Sequence, residues 1–290
     1  MELLVSPEWL AQSLGDDNLR ILDCTVFLRP TDSGAAYRVE TGLAQWEQGH
    51  IPNSGFLDQV ALLSDPESDL NFTALDPAGL AAGFGAAGIG ADTRVVLYDR
   101  AFNMWATRVW WLLRSIGFDN AAVLDGGWKA WTAEGFEVSV DPDPGPAPGL
   151  AAIVPDHRPG LVVDRDEVSA AISDDKVCLI NALSPEIHNG DDARYGKPGH
   201  IASSVNVYAV QLVDPKTHRY KPLSELGSMF ADAGVEPGRI VTWCGGGIAA
   251  TSDAFVLTLL GYDDIGIYDG SLSDWISAGY SLSNPSEAKS

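Results

Sequence analysis

The sequence predicts an α/β protein made of two tandem domains, each a parallel sheet flanked by helices. Three observations carry that prediction. The chain repeats itself: GHIPNSGFLD (49–58) returns as GHIASSVNVY (199–208), AAGIGADTRVVLYD (86–99) as DAGVEPGRIVTWC (232–244), and SIGFDNAAVLDGGWKAW (115–131) as LLGYDDIGIYDGSLSDW (259–275). Three collinear matches at nearly one offset mark two homologous copies. Within each copy, short β-branched runs alternate with segments of helical period, as in a parallel sheet covered on both faces. Between the copies, VDPDPGPAPGLAAIVPDHRPG (140–160) is too rich in Pro, Gly and Asp for a helix or inner strand and reads as a semi-rigid linker. The predicted division is an N-terminal domain over 1–140, a linker over 141–160 and a C-terminal domain over 161–290.

In the first copy, LRILDCTVF (19–27) and TRVVLYD (93–99) read as strands and MWATRVWWLLRSIGF (104–118) as a helix. Trp105, Trp110 and Trp111 recur there at helical spacing, which suits core or inter-domain packing. In the second copy, KVCLINAL (176–183) and RIVTWC (239–244) read as strands, and ATSDAFVLTLLGY (250–262) as the helix after the second of them. Trp243 points away from its neighbour Cys244 by strand alternation and belongs to the core. Cys24 and Cys178 read as buried strand residues, paired by the repeat. His50 and His200, each in a GHI motif, read as structural.

The 290 residues carry 18 Lys plus Arg against 40 Asp plus Glu, a formal charge of −22. A surface this acidic repels phosphate backbones and anionic lipid, so neither nucleic acid nor membrane is expected as a partner. Three scattered cysteines make neither a disulfide framework nor a zinc site. The first residues, MELLVSPEWLAQSLGDD, lack the cationic and apolar regions of a signal peptide, and a cytoplasmic location is expected. No metal and no cofactor is implied.

The stretch with chemistry is VTWCGGGIAATSDAF (241–255). Ligands of parallel sheets bind beyond the carboxyl ends of the strands, and Cys244 lies at such an end. Glycines at 245–247 let backbone N–H groups converge, and the following helix adds unpaired donors and the positive end of its dipole. Such a nest favours the thiolate, the form that reacts, and would also hold a terminal sulfur anion. A nucleotide P-loop is excluded because no Lys follows the glycines. A cysteine phosphatase is excluded because the sixth residue after Cys244 is Ala250, not Arg.

The GHIPNS and GHIASS segments, the strand–Cys–glycine loop–helix unit and YDGSLSDW together resemble the rhodanese, or sulfurtransferase, family in its tandem two-domain form. The loop is most similar to the CGSGVT type of mercaptopyruvate sulfurtransferases and less so to the CRKGVT type of thiosulfate sulfurtransferases. The resemblance implies a non-catalytic first domain, and the first-domain position matching Cys244 falls near Asp99 or Arg100, with no cysteine. It also implies ping-pong chemistry. Cys244 takes a sulfane sulfur from a small donor of the thiosulfate type, becomes a persulfide, and passes the sulfur to a thiol or cyanide. Main-chain amides of Gly245, Gly246, Gly247, Ile248 and Ala249 would cradle that persulfide, with Ala250 opening the helix. A 3-mercaptopyruvate donor, and a carrier relaying sulfur to a protein acceptor, remain the alternatives. Against the family pattern, Gly246 and Ala249 lack two hydroxyls, and Ile187 replaces a substrate-gripping Arg with His188 beside it. A first-domain His is also absent from SDPESDLNFTALDP (64–77). Arg194 is the remaining candidate cation; Arg194, His188 and His218 lie in segments that could face the site.

Overall fold

The computed structural model describes residues 1–31, 37–145 and 149–286. Two five-stranded sheets, parallel throughout, form its framework. The first contains β1 (Leu4–Val5), β2 (Leu19–Asp23), β5 (Ser54–Phe56), β6 (Arg94–Tyr98) and β7 (Ala121–Leu124), in the order β1-β7-β6-β2-β5. The second contains β8 (Val162–Val163), β9 (Val177–Asn181), β10 (Ser204–Asn206), β11 (Arg239–Trp243) and β12 (Ile265–Tyr268), in the order β8-β12-β11-β9-β10. The two orders are the same, so the sequence repeat is a repeat of topology. Each copy keeps its central strand, β6 or β11, buried from its second residue onward.

The helices of the first copy are α1 (Pro7–Ser13), α2 (Leu43–Gln48), α3 (Gln59–Leu63), α4 (Pro77–Ala86), α5 (Met104–Ser115) and α6 (Gly127–Ala133). Those of the second are α7 (Arg165–Ala171), α8 (Pro185–His188), α9 (Leu223–Asp232), α10 (Ala249–Leu259) and α11 (Ser271–Ser277). Side chains of Ser6, Asp58, Asp76 and Asp164 cap α1, α3, α4 and α7. Helix α10 has no such cap, because Ile248 stands at its N-cap. Its free N–H donors are left available to something else.

Helices α5 and α10 pack against each other and join the two copies through one apolar core. Residues Ala250 through Leu257 of α10 are all buried, because the helix is enclosed by its own sheet on one side and the other copy on the other. Trp110 meets Phe255 edge-on with ring centroids 4.9 Å apart, and Thr107 Oγ1 lies 2.9 Å from Thr251 Oγ1. Trp105, Trp110 and Trp111 thus combine core and inter-domain packing. The connecting segment lies against the first copy: Arg20 Nη1 is 2.6 Å from Asp143 Oδ1, and the Asp156 N–H donates to the Ile116 carbonyl at 2.9 Å.

Two details depart from the sequence reading. LRILDCTVF is not one strand: β2 ends at Asp23, and β3 (Val26–Arg29) pairs antiparallel with β4 (Arg38–Thr41) outside the sheet. The Asp23 carboxylate causes the break by accepting from the Thr25 N–H at 3.0 Å and from Arg100 Nε at 3.1 Å, turning the chain off the sheet. Cys178, in turn, is only half-buried, and its topological counterpart in β2 is Arg20 rather than Cys24.

Candidate active site

Cys244 follows the last residue of β11 and is 2% exposed. Its N–H and that of Gly247 both donate to Ser271 Oγ, at 3.0 and 3.1 Å. Ser271 gives its own proton to the Tyr268 carbonyl at 2.7 Å. One hydroxyl at the start of α11, held at φ +51°, therefore pins both ends of the loop. Ser273 adds a second tie, its Oγ donating to the Gly245 carbonyl at 2.7 Å. Gly247 adopts φ +75°, and a Cβ there would come within 2.5 Å of the Asp269 carbonyl oxygen, so this position requires glycine. Among the described residues, the amides of Gly245, Gly246, Ile248, Ala249 and Ala250 find no hydrogen-bond acceptor. They surround the mouth of the loop at the positive end of α10.

The first copy supplies a comparison inside the same molecule. Asp99 follows β6 as Cys244 follows β11, and in each case the next helix begins five residues later. Phe102 takes φ +62° where Gly247 takes +75°. The position matching Cys244 is therefore Asp99, not Arg100. Its carboxylate accepts four amides, from Ala101 (2.7 Å), Asn103 (3.0 Å), Trp105 (2.8 Å) and Ala106 (3.0 Å). Burial pushes the Asp99 pKa up, and these four amides pull it back. The loop thus grips an anion in the first copy, while in the second the matching amides of Gly246, Ile248 and Ala250 have no acceptor among the described residues.

The copies also cover each other. Ala74 of the first donates its N–H to Asp269 Oδ2 at 2.8 Å, and Tyr220 of the second donates its N–H to Asp125 Oδ1 at 2.8 Å. Behind the Cys244 loop, Arg108 of α5 donates to the Gly247 carbonyl at 3.3 Å and the Phe72 carbonyl at 2.8 Å.

Cys244 opens into a cavity of about 380 Å³ that includes Gly245, Gly246, Ile248 and Ala249 from the loop. Tyr37, Phe72, Ile187, Tyr195 and Tyr208 form much of its wall, with Glu186 and Arg194 at its polar edge. Arg194 thus lies at the cavity, with its charge engaged by Asp192, whose Oδ2 is 2.8 Å from Nε. His188 does not line the cavity. Its ring stacks on His200 at 3.7 Å and its Nδ1 meets Asn181 Nδ2 at 3.1 Å. Burial and the neighbouring His200 hold its pKa down at about 4. His50 stacks on Trp46 in the same way, and the backbones of His50 and His200 bridge to Ser139 and Ser283. Both GHI histidines therefore perform the same packing. His218 faces the first copy's loop, 4.2 Å from the Phe102 ring.

Sequence reasoning missed Tyr37, Tyr195, Ser271, Asp269 and Arg108. Asp269 and Ser271 stood inside the YDGSLSDW segment, and Arg108 was a cation within the largely apolar α5 helix. Tyr37 comes from the other copy and had no local signal. Among the described residues, no group of three His, Cys, Asp or Glu side chains could hold a metal, and no helix is long and apolar enough to cross a membrane.

Comparison with known proteins agrees with this architecture. The rhodanese-like domain family matches residues 6–134 and 164–278. Thiosulfate/3-mercaptopyruvate sulfurtransferase 2 of Arabidopsis thaliana is 30% identical, over 96% of this chain and 85% of its own. Thiosulfate sulfurtransferase of Gallus gallus is 27% identical, over 94% of this chain and 92% of its own. The crystal structure of SseA from Escherichia coli, a 3-mercaptopyruvate sulfotransferase, superposes with a TM-score of 0.80 at 26% identity, covering 94% of this chain and all of the other. With the family matched in both halves and the same sheet order repeated in each, this chain belongs to the rhodanese-like domain family as a tandem pair.

Proposed function

We propose that the chain is a sulfurtransferase in which Cys244 carries the sulfur. The sulfurtransferase class is that of relatives aligned along nearly the whole chain. The observation that carries the site assignment is the contrast between the two loops: four amides converge on Asp99, while five amides stand unpartnered around the Cys244 loop. In the first half-reaction, the Cys244 thiolate attacks the sulfane sulfur of a small donor. The new S–S bond forms as the donor's bond to that sulfur breaks, and the donor departs with the electron pair. The persulfide anion is then held by the amides of Gly245, Gly246, Ile248, Ala249 and Ala250. In the second half-reaction a thiolate or cyanide attacks the outer sulfur, and Cys244 leaves as thiolate. The loop stabilises negative charge by fixed dipoles and needs no counter-ion of its own.

The donor is of the thiosulfate type, with 3-mercaptopyruvate the close second. The acceptor is a thiol or cyanide. A relay to a protein acceptor is favoured by one observation: the cavity's Arg194 is engaged by Asp192 rather than free to hold an anionic donor. The domain from 1 to 140 is non-catalytic, because Asp99 fills its cradle. The segment from 141 to 160 connects it to a catalytic domain over 161–290.

Thiocyanate formation from thiosulfate and from 3-mercaptopyruvate, in the wild type and in Cys244→Ser, tests this. The expected result is turnover in the wild type and none in the variant, with intact mass rising by about 32 units, one sulfur atom, on Cys244. Loading without turnover on either donor would select the protein relay. Failure of Cys244 to load at neutral pH from any sulfane donor would overturn the assignment.

A further inference from the structure

The loop lacks side-chain hydroxyls at Gly246 and Ala249, and Ser271 cannot replace them. Ser271 Oγ lies 4.0 Å from Cys244 Sγ, but its one proton is given to the Tyr268 carbonyl. Tyr195 stands differently. It lies between α8 and β10, lines the cavity, and presses its phenol edge against Gly245 so closely that a Cβ there would collide with the hydroxyl. A glycine at 245 is thus what admits the Tyr195 ring to the loop. Tyr98 bonds to Ser54 Oγ at 3.0 Å and Tyr268 to Asp274 Oδ2 at 2.5 Å, while the Tyr220 hydroxyl is buried with no partner among the described residues and lies outside the Cys244 cavity. Among the described residues the Tyr195 hydroxyl has no hydrogen-bond partner, nor does it bond to the resting Cys244 sulfur. Tyr195 is only partly buried and lines the cavity, so its O–H is free to donate there.

That free donor has a use in the loaded state. An added sulfur stands about 2 Å beyond Sγ, and the cavity shared by Cys244 and Tyr195 is where it extends. We propose that Tyr195 donates its O–H to the outer sulfur of the Cys244 persulfide, returning from a neighbouring loop the hydroxyl that the cysteine loop lacks. The bond is absent from the resting enzyme and present once sulfur arrives, so it favours the loaded state over the free one. Burial and the nearby Cys244 push the Tyr195 pKa well up, which keeps it a donor while the sulfur is anionic. Tyr37 lines the same cavity, its hydroxyl 3.7 Å from where a Cβ on Gly246 would stand, and its burial likewise pushes its pKa up.

The inference rests on Cys244 as the sulfur carrier, and its test separates the two. Tyr195→Phe keeps the ring against Gly245 and removes only the hydroxyl. Loading of Cys244 is followed by intact mass, and the loaded form by its rate of alkylation as a function of pH. The expected outcome is loading slowed about tenfold, the size of one lost hydrogen bond to a charged group, and a persulfide titration moved to higher pH, with the thermal midpoint unchanged. Loading within twofold of wild type and an unmoved titration would overturn the role of Tyr195 while leaving Cys244 in place. A wild type that never loads would overturn both. Should Tyr195→Phe lose stability, Tyr195→His restores a donor on a ring. Recovery of the wild-type titration by His then supports the bond, and its failure in a folded His variant counts against it.

Discussion

Arg108 of the first copy and Asp269 of the second form an ion pair of 2.6 Å across the domain junction, with 2% and 12% of their side chains exposed. The same guanidinium reaches the Gly247 carbonyl, so the cysteine loop rests on a cation supplied by the other domain. Arg108→Met leaves the Asp269 carboxylate buried without its counter-charge, at a cost of about 3–5 kcal/mol. Urea unfolding should register that loss. The double variant Arg108→Met with Asp269→Asn should recover part of it. A single variant within 1 kcal/mol of wild type, an order-of-magnitude bound for a mere surface pair, would refute the support role.

Ser271 is asked to do two things at once: accept two amides and hold φ +51°. Ser271→Ala and Ser271→Gly both strand the Cys244 and Gly247 amides, at about 1–3 kcal/mol. Glycine relieves the backbone and alanine does not, so the Gly variant should be the more stable by about 1 kcal/mol. Both should lose turnover. Thermal midpoints of the three proteins decide the order.

The three loop glycines are not equivalent. A Cβ at Gly246 meets only Tyr37 and Phe72 at 3.7 and 3.9 Å, ordinary contact distances. Gly246→Ser should therefore fold as well as wild type. Gly247→Ala must hold a left-handed φ and push aside the Asp269 carbonyl, and Gly245→Ala must displace Tyr195. Both should lower the thermal midpoint and slow sulfur loading. Equal behaviour of all three variants would contradict this loop geometry.

Asp253 stands at the fifth position of α10, as Arg108 does in α5, but both of its oxygens are buried without a hydrogen-bond partner among the described residues. Burial raises its pKa well above the ordinary 3.8. Above that pH the unfolded chain has released a proton that the native state keeps, so the native state binds more protons. Stability contributed by this group therefore falls as pH rises, until the native carboxyl itself ionises, with a slope of about 1.4 kcal/mol per pH unit. Asp253→Asn removes that slope. Denaturation at pH 5, 6, 7 and 8 should show the variant gaining on wild type as pH increases, and parallel curves would disprove it.

The parallel sheets and the strand–Cys–glycine unit were legible because their signals are local, with alternation, helical period and turn chemistry lying within a few residues. The repeat was legible because those local patterns recur in the same order. Cys244 could be placed at a strand end for that reason. The cavity wall could not. Tyr37 and Phe72 reach it from the other copy, Arg108 supports it across the junction, and Tyr195 matters because of a collision with Gly245 that only three dimensions reveal. His188 was misjudged as substrate-facing because the sequence placed it next to Ile187, while stacking on His200 turned its ring away. The break at Asp23 was hidden by the apolar character on both sides of it, and the carboxylate that causes it read simply as a strand terminus.

Asp99 has a consequence for how this protein can be studied. A loop gripping an anion is normally seen only by trapping a short-lived intermediate. Here one is permanently on view, with its four amide distances fixed in the free molecule. Under the proposed function, the N-terminal half is a cast of the occupied C-terminal site, made in carboxylate instead of sulfur. It provides an internal yardstick against which any tightening of residues 244–250 during turnover can be measured within one and the same chain.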